Sequence, residues 1–290
     1  MRLVENIVWE YIQKPGIDGV FEGIRDAAVI CYQTDTEKMK KTPKEFVFDV
    51  LLKNAHTRPL EFGTVYLKIP SMAQQPPQIF HSRSFYVYEK YPQTIWTHRE
   101  LKQDGWWYIT TNLRVIMQGD YMSDKEAWEH GYDKNWLDDV YNFWCEPTEY
   151  HDKRRTFTMW MSRGCTDDNR THITMSSMCE STRFCNYSKG KFGNGLTFID
   201  PVWWKETNPA AYNMLIDQFY KEELTYLAAA NVCPEAQHLK RLFPLGAKAE
   251  LRLCGFDEAW QNFFWRRCDT HADPECAIVA DKIKKLYNQS

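Results

Sequence analysis

The chain has 290 residues, of which 43% are hydrophobic, 15% aromatic and 26% charged, with a formal net charge of −3. That composition belongs to a globular protein with a large aromatic core and excludes disorder as the main state. The balance of 36 basic against 39 acidic side chains excludes a general attraction to nucleic acid, leaving room only for a local cationic pocket of the size of one phosphate.

No apolar run approaches the ~18 residues needed to span a bilayer, so no membrane association is expected. The opening residues MRLVENIVWEYIQK carry acids at once and lack an apolar stretch, so a signal peptide is not expected either. The nine cysteines include no C-x-x-C pair, which argues against a disulfide framework and against a structural zinc site. Reduced thiols, no metal and a cytoplasmic setting are the expectations.

In chain order, a strand is expected over Leu3 to Tyr11 and a helix over Val20 to Cys31. Thr42 followed by Pro43 signals a capped helix start, and that helix is expected to stop near Asn54. Gly63 to Ile69 is β-branched and aromatic, a strand pattern. Residues 70–150 read as a long elaboration packed on the core, with a strand from Trp106 to Met117. Arg155 to Met161 alternates polar and apolar residues and reads as a strand, as does Leu196 to Ile199. The C-terminal third is helical: Asn208-Pro209 opens a helix to about Ala230, Pro234 a second, Asp257 a third through Arg267, and Asp273-Pro274 a last one to about Tyr287. Ala249 to Cys254 is a strand between them. The absence of a βαβ rhythm favours one α+β domain over 1–290.

The densest polar run lies between Arg163 and Tyr187. Within it Glu180, Ser181, Thr182 and Arg183 place a carboxylate, two hydroxyls and a guanidinium together, a set suited to a phosphate or nucleotide. The same residues also suit a plain structural role, with Ser181 or Thr182 as a helix cap and Arg183 paired with an acid. His151, among Glu146, Glu149 and Asp152, reads as a polar loop histidine rather than a metal ligand. Cys179 and Cys185 read as inert buried thiols rather than nucleophiles. Gly-rich phosphate loops and a nucleophile elbow are absent from the sequence.

The run ESTRFCNYSKGKFGN from Glu180 to Asn194, preceded by EPTEYHDKR from Glu146, resembles the flavin-dependent thymidylate synthase family. Three further blocks agree in order: His56 to Glu61 (HTRPLE), Trp107 to Arg114, and Leu242-Phe243-Pro244 followed by Asn262-Phe263-Phe264 and Arg267 to Ala272. The resemblance implies a homotetramer of α+β subunits with an antiparallel sheet and long helices. It also implies FAD bound at subunit interfaces, with NADPH and methylenetetrahydrofolate as co-substrates for methylation of dUMP at C5. Ser181, Arg183, Glu180, Thr182, Lys240 and Asp168 would bind the nucleotide. Arg267 would be catalytic, stabilising negative charge on the pyrimidine near N3. His56, Arg58, Glu61, His172 and Asn262 would lie along the flavin.

Departures from the family pattern gather in one pocket. Thr171-His172-Ile173 stands where the family has Arg-His-Arg, and each lost charge-assisted bond is worth ~1.5–3 kcal/mol. Asp167-Asp168 replaces His-Glu, Lys240 replaces an arginine, and Cys179 precedes Glu180. With Ser181, Arg183, Asn186, Tyr187 and Arg267 all retained, altered substrate use is the expectation rather than a dead protein. The alternatives are a paralogue that methylates or hydroxymethylates dCMP or UMP, and a nucleotide-binding homologue that has lost flavin chemistry.

Overall fold

The computed structural model describes residues 1–71, 91, 93–118 and 137–289. Strands β1 (Arg2–Val4) and β2 (Val8–Glu10) lead into helix α1 (Gly16–Tyr32). The single strand expected over Leu3 to Tyr11 is therefore two, because its halves pair in different sheets. Thr42 and Glu45 form a reciprocal capping box, with Pro43 in the first turn of α2 (Pro43–Phe46). The chain continues through a π turn to Leu51 and a 3-10 turn to Asn54.

A 3-10 turn, Arg58–Phe62, carries the chain into β3 (Thr64–Pro70), which pairs with β5 (Trp106–Asn112), itself paired with β4 (His98–Leu101). The strand expected to reach Met117 stops at Asn112, whose carboxamide accepts from the N–H of Val115 and starts α3 (Leu113–Gln118). Helix α4 (Asp138–Phe143) follows. These elements share one core with α1 and α2, built on Phe21, Ile24, Leu67, Ile109 and Val140. Gly63 allows the close approach: a Cβ there would lie 2.6 Å from Cδ1 of Ile24.

The second half centres on an antiparallel sheet ordered β2-β6-β9-β7. Here β6 (Arg154–Ser162) runs against β9 (Lys248–Phe256) along its whole length, and β7 (Ser176–Cys179) covers the far edge of β9. Between β6 and β7 lies the short helix α5 (Arg163–Asn169), capped by Ser162. Strand β8 (Thr197–Ile199) pairs in parallel with β1. Helices α6 (Val202–Thr207), α7 (Pro209–Val232), α8 (Ala236–Leu239), α9 (Asp257–Arg267) and α10 (Pro274–Tyr287) complete the chain.

Asn208 and Asp273 cap α7 and α10, as their position before proline suggested. Two boundaries differ from the sequence reading. Phe256 precedes the first turn of α9, which leaves Asp257 inside it, and Glu235 rather than Pro234 stands at the start of α8. One face of the central sheet packs on α9 and α10 through Phe157, Leu251, Trp260, Phe263 and Ile283. The other meets α1 where Met178 and Cys254 touch Ala27 and Ile30. No helix among the described residues is long and apolar enough to cross a membrane. The folded chain thus mixes helices with mainly antiparallel sheets, the α+β class expected.

Candidate functional site

Strand β7 and its flanks organise the residues singled out from the sequence. Thr171 and His172 precede it, Ser177 lies on it, and Glu180 to Arg183 leave its far end. One short edge strand therefore carries three groups of candidate side chains past different neighbours.

At the leading end, Arg267 closes the last turn of α9, a position where the helix dipole favours a cation. Its Nε donates to Nε2 of His172 at 3.0 Å, and its Nη2 donates to the carbonyl of Asp168 and to Oγ1 of Thr171. His172 is buried against the ring of Phe263, 5.0 Å between centroids. Burial, then the charges of Arg267 and Arg266, push its pKa down to about 4. The ring is therefore neutral at pH 7, and its Nε2 accepts. Two backbone-anchored acceptors and one neutral imidazole hold the guanidinium in one orientation. Among the described residues no hydrogen bond engages Nη1.

The Glu180 to Arg183 segment folds as a turn, not as the helix start that capping would require. Glu180 is 1% exposed. Its Oε1 accepts the Tyr187 hydroxyl at 2.7 Å, and its Oε2 accepts from Nζ of Lys248 at 2.9 Å and the N–H of Glu250 at 3.1 Å. The carboxylate is thus used inside the fold, as the base on which the turn rests. Oγ of Ser181 accepts from the N–H of Arg183 at 3.3 Å, while the Ser181 N–H donates to Cys31 at the end of α1. Arg183 is exposed and lies over the ring of Phe184, which stacks on Tyr32 at 4.5 Å. Among the described residues no acid pairs with Arg183; the exposed guanidinium lies on an aromatic shelf.

The third group reaches β7 from the side. Nη2 of Arg58 donates to Oγ of Ser177 at 3.3 Å. Glu61 is buried, paired through Oε1 with Arg114, and its backbone carbonyl accepts from Nη1 of Arg154 at 2.9 Å. Among the described residues, Oε2 of Glu61 and Oγ1 of Thr57 are buried without a hydrogen-bond partner, an arrangement for which a bound polar group is one explanation. His56 is exposed beside them.

Among the described residues no hydrogen bond joins the Arg267 side chain to the other two groups. Every hydrogen bond found for the Arg267 side chain goes to residues 168, 171 and 172, and none to Ser181 or Arg183. Lys240, Asp168 and Asn262 are exposed. Ile173, in the place of a family arginine, is 81% exposed. A cavity of about 640 Å³ opens elsewhere, between Tyr11, Tyr66, Trp144, Arg155 and Tyr287, and no sequence-predicted site residue lines it.

Two minor readings change. His151 is not a solvated loop histidine: it is buried, its Nδ1 accepts from the N–H of Thr148 at 3.2 Å, and its Nε2 donates to the carbonyl of Leu67 at 3.2 Å. Burial lowers its pKa, so the neutral ring acts as a structural bridge. A disulfide joins Cys165 on α5 to Cys276 on α10, Cα atoms 5.8 Å apart, so reduced thiols describe only the other seven cysteines. Among those, burial raises the pKa of Cys185 to about 12 and that of Cys179 as well, as inert thiols require.

Several polar residues that frame the site carry no local signal in the sequence. Arg163 bridges Asp167 and the carbonyl of Glu180 at 3.2 Å each, tying α5 to the Ser181 turn. Arg154 links the Glu61 carbonyl to Oγ of Ser176 on β7. Lys248 neutralises Glu180. Apart from the Arg163–Asp167 pair within α5, their partners are 17 to 93 residues away in sequence, beyond the reach of local patterns.

No match was found among curated proteins. One similar solved structure is a UMP/dUMP methylase from Streptomyces cacaoi bound with 5-bromo-dUMP. It shares 13% identity at a TM-score of 0.40, over 47% of this chain and 67% of that one. The family model described as thymidylate synthase complementing protein matches residues 146–290. That half includes β6, β7, β9, α9 and the residues around Arg267 and Ser181, while the blocks at His56 and Trp107 lie outside it. By this match the chain belongs to the thymidylate synthase complementing proteins, the flavin-dependent thymidylate synthase family that its motifs resemble.

Proposed function

We propose that this protein transfers a one-carbon unit to C5 of a pyrimidine deoxynucleotide, dUMP to dTMP, using FAD with methylenetetrahydrofolate and NADPH as co-substrates. The observation that carries the proposal is the fixed guanidinium of Arg267, held by neutral His172 with one edge uncommitted. A cation already oriented against a pyrimidine carbonyl and N3 stabilises charge developing on the ring without reorganising during the reaction. Arg183 on its aromatic shelf, with the Ser181 hydroxyl, would hold the phosphate through charge-assisted bonds.

The residues near Glu61 fit a flavin in one respect: the partnerless Glu61 Oε2 and Thr57 Oγ1 accept or donate to a polar ring or ribityl chain, and Arg58 and His56 stand exposed beside them. When bound, reduced flavin supplies the reducing equivalents for the transferred carbon. His56, Arg58, Glu61, His172 and Asn262 would hold it. Arg58 and Arg183 would supply phosphate charge that Thr171 and Ile173 do not.

The lack of a hydrogen bond between Arg267 and Ser181 or Arg183 among the described residues leaves room for neighbouring copies to complete the site, in a homotetramer. A second reading rests on Asp168, an exposed residue whose backbone carbonyl accepts from Arg267 and whose carboxylate would accept from a cytosine amino group. Flavin-loaded protein supplied with dUMP, dCMP or UMP separates the two: NADPH consumption and a C5-modified product with dUMP supports the first, and preference for dCMP the second. A protein that takes up no FAD overturns both.

A further inference from the structure

Apart from the residues assigned to nucleotide or flavin, two groups of metal-ligating side chains draw together among the described residues. One consists of Cys165, Asp273 and Cys276; there the sulfurs bond each other, so neither is available as a thiolate, and Asp273 caps α10. The other consists of Cys233, Glu235 and His238, whose donor atoms all lie within 4.8 Å of one another.

The backbone sets this second group in place. Cys233 ends α7, its N–H donating to the carbonyl of Ala229 at 2.8 Å. Glu235 begins α8, and its carbonyl accepts from the N–H of His238 at 2.9 Å, which places the two side chains one turn apart. Pro234 stiffens the corner between them, and Nδ2 of Asn186 grips its carbonyl at 2.6 Å. Leu239 anchors the turn in the core beneath.

Sγ of Cys233 lies 3.4 Å from Oε2 of Glu235 and 3.6 Å from Nδ1 of His238. Tetrahedral zinc, with bonds of about 2.3 Å to sulfur and about 2.0–2.1 Å to nitrogen or oxygen, sets such donors about 3.5 Å apart. The Cys233 sulfur therefore already stands at coordination spacing from both partners. One thiolate and one carboxylate would balance the charge of a divalent ion. A mixed sulfur, nitrogen and oxygen set disfavours calcium and magnesium, which take oxygen alone, and copper(I), which prefers sulfur. Cys233 is half-buried while Glu235 and His238 are exposed, so an ion enters directly from solvent.

We infer that Cys233, Glu235 and His238 form a three-ligand zinc site at the corner between α7 and α8, with the fourth position open to water or an external donor. The site clamps the end of α7 to the segment that runs on into Lys240. None of its three ligands is a residue assigned to nucleotide or flavin.

The test is metal binding by the full chain, stripped with a chelator and titrated with Co²⁺ and then Zn²⁺. The expected result is one equivalent of Co²⁺ with a tetrahedral visible spectrum and a thiolate-to-cobalt charge-transfer band, both erased by Zn²⁺. Cys233→Ser should abolish that band, and His238→Ala and Glu235→Gln should weaken Zn²⁺ binding by about tenfold or more. The far-ultraviolet circular dichroism of all three should match the parent, and Cys268→Ser, at a free thiol elsewhere, should keep the band. A parent protein with no tetrahedral cobalt spectrum, or a band that survives in Cys233→Ser, overturns the site. Neither result depends on turnover, so failure here and failure of the C5-transfer reading are separate outcomes.

Discussion

Arg267 donates to His172 across 3.0 Å, joining the C-terminus of α9 to the residue that introduces β7. The bond exists because the imidazole is neutral: burial and the two neighbouring guanidiniums hold its pKa at about 4. A protonated ring would present a second donor to a cation. The pair is therefore a pH-dependent joint, and its consequences are measurable without knowing the substrate.

The first consequence concerns stability. His172 has a folded pKa of about 4 against 6.5 unfolded, so the unfolded chain takes up the proton first as pH falls. Its contribution is whole above pH 6.5 and is lost progressively down to about pH 4, by up to about 3 kcal/mol. Denaturant midpoints at neutral and acid pH should move further apart for the parent than for His172→Gln, which cannot titrate. Equal pH dependence in the two proteins would remove the joint from the account.

Arg267→Lys keeps the charge but loses the planar fork that reaches His172, Thr171 and the Asp168 carbonyl together. Turnover is expected to fall by about a hundredfold or more, while the melting temperature moves little because the side chain lies at a helix end. Steady-state rates beside a thermal melt check this; near-parental turnover would show that orientation is not what Arg267 contributes.

Glu180 separates a framework role from a ligand role. Glu180→Ala leaves the half-buried Lys248 and the Tyr187 hydroxyl without their acceptor. A cost of about 3–5 kcal/mol follows from breaking such a pair, with Tyr187→Phe costing only about 1 kcal/mol. Thermal unfolding ranks them. A stable Glu180→Ala protein that merely binds nucleotide less well would make Glu180 a ligand group instead.

Ile173 occupies a family arginine position and is 81% exposed, so a longer polar side chain displaces no core. Ile173→Arg should tighten FAD binding by roughly tenfold, the worth of one charge-assisted bond, at unchanged stability. Flavin fluorescence titration reads the effect. An unchanged affinity would mean that the cofactor phosphates lie elsewhere.

Much of the fold was legible because its signals are local. The Thr42 capping box, the Asn208-Pro209 and Asp273-Pro274 starts and the alternation in β6 each depend on neighbours in sequence. The failures share a cause. Leu3 to Tyr11 has the composition of one strand, but its partners in β8 and β6 lie in different sheets. His151 looks solvated until Leu67 and Thr148 close on it. In the same way Glu180 reads by type as a nucleotide ligand, but its burial depends on Lys248 and Glu250, on a strand 68 and 70 residues away. The zinc ligands escape motif reading because one cysteine, one glutamate and one histidine resemble any helix corner until their spacing is known.

Incubation of flavin-loaded protein with dUMP, methylenetetrahydrofolate and NADPH, followed by mass analysis of the nucleotide, bears most directly on the function. The account predicts dTMP from the parent protein and none from Arg267→Ala. An unmodified pool of dUMP, dCMP and UMP from protein that carries its flavin would contradict it.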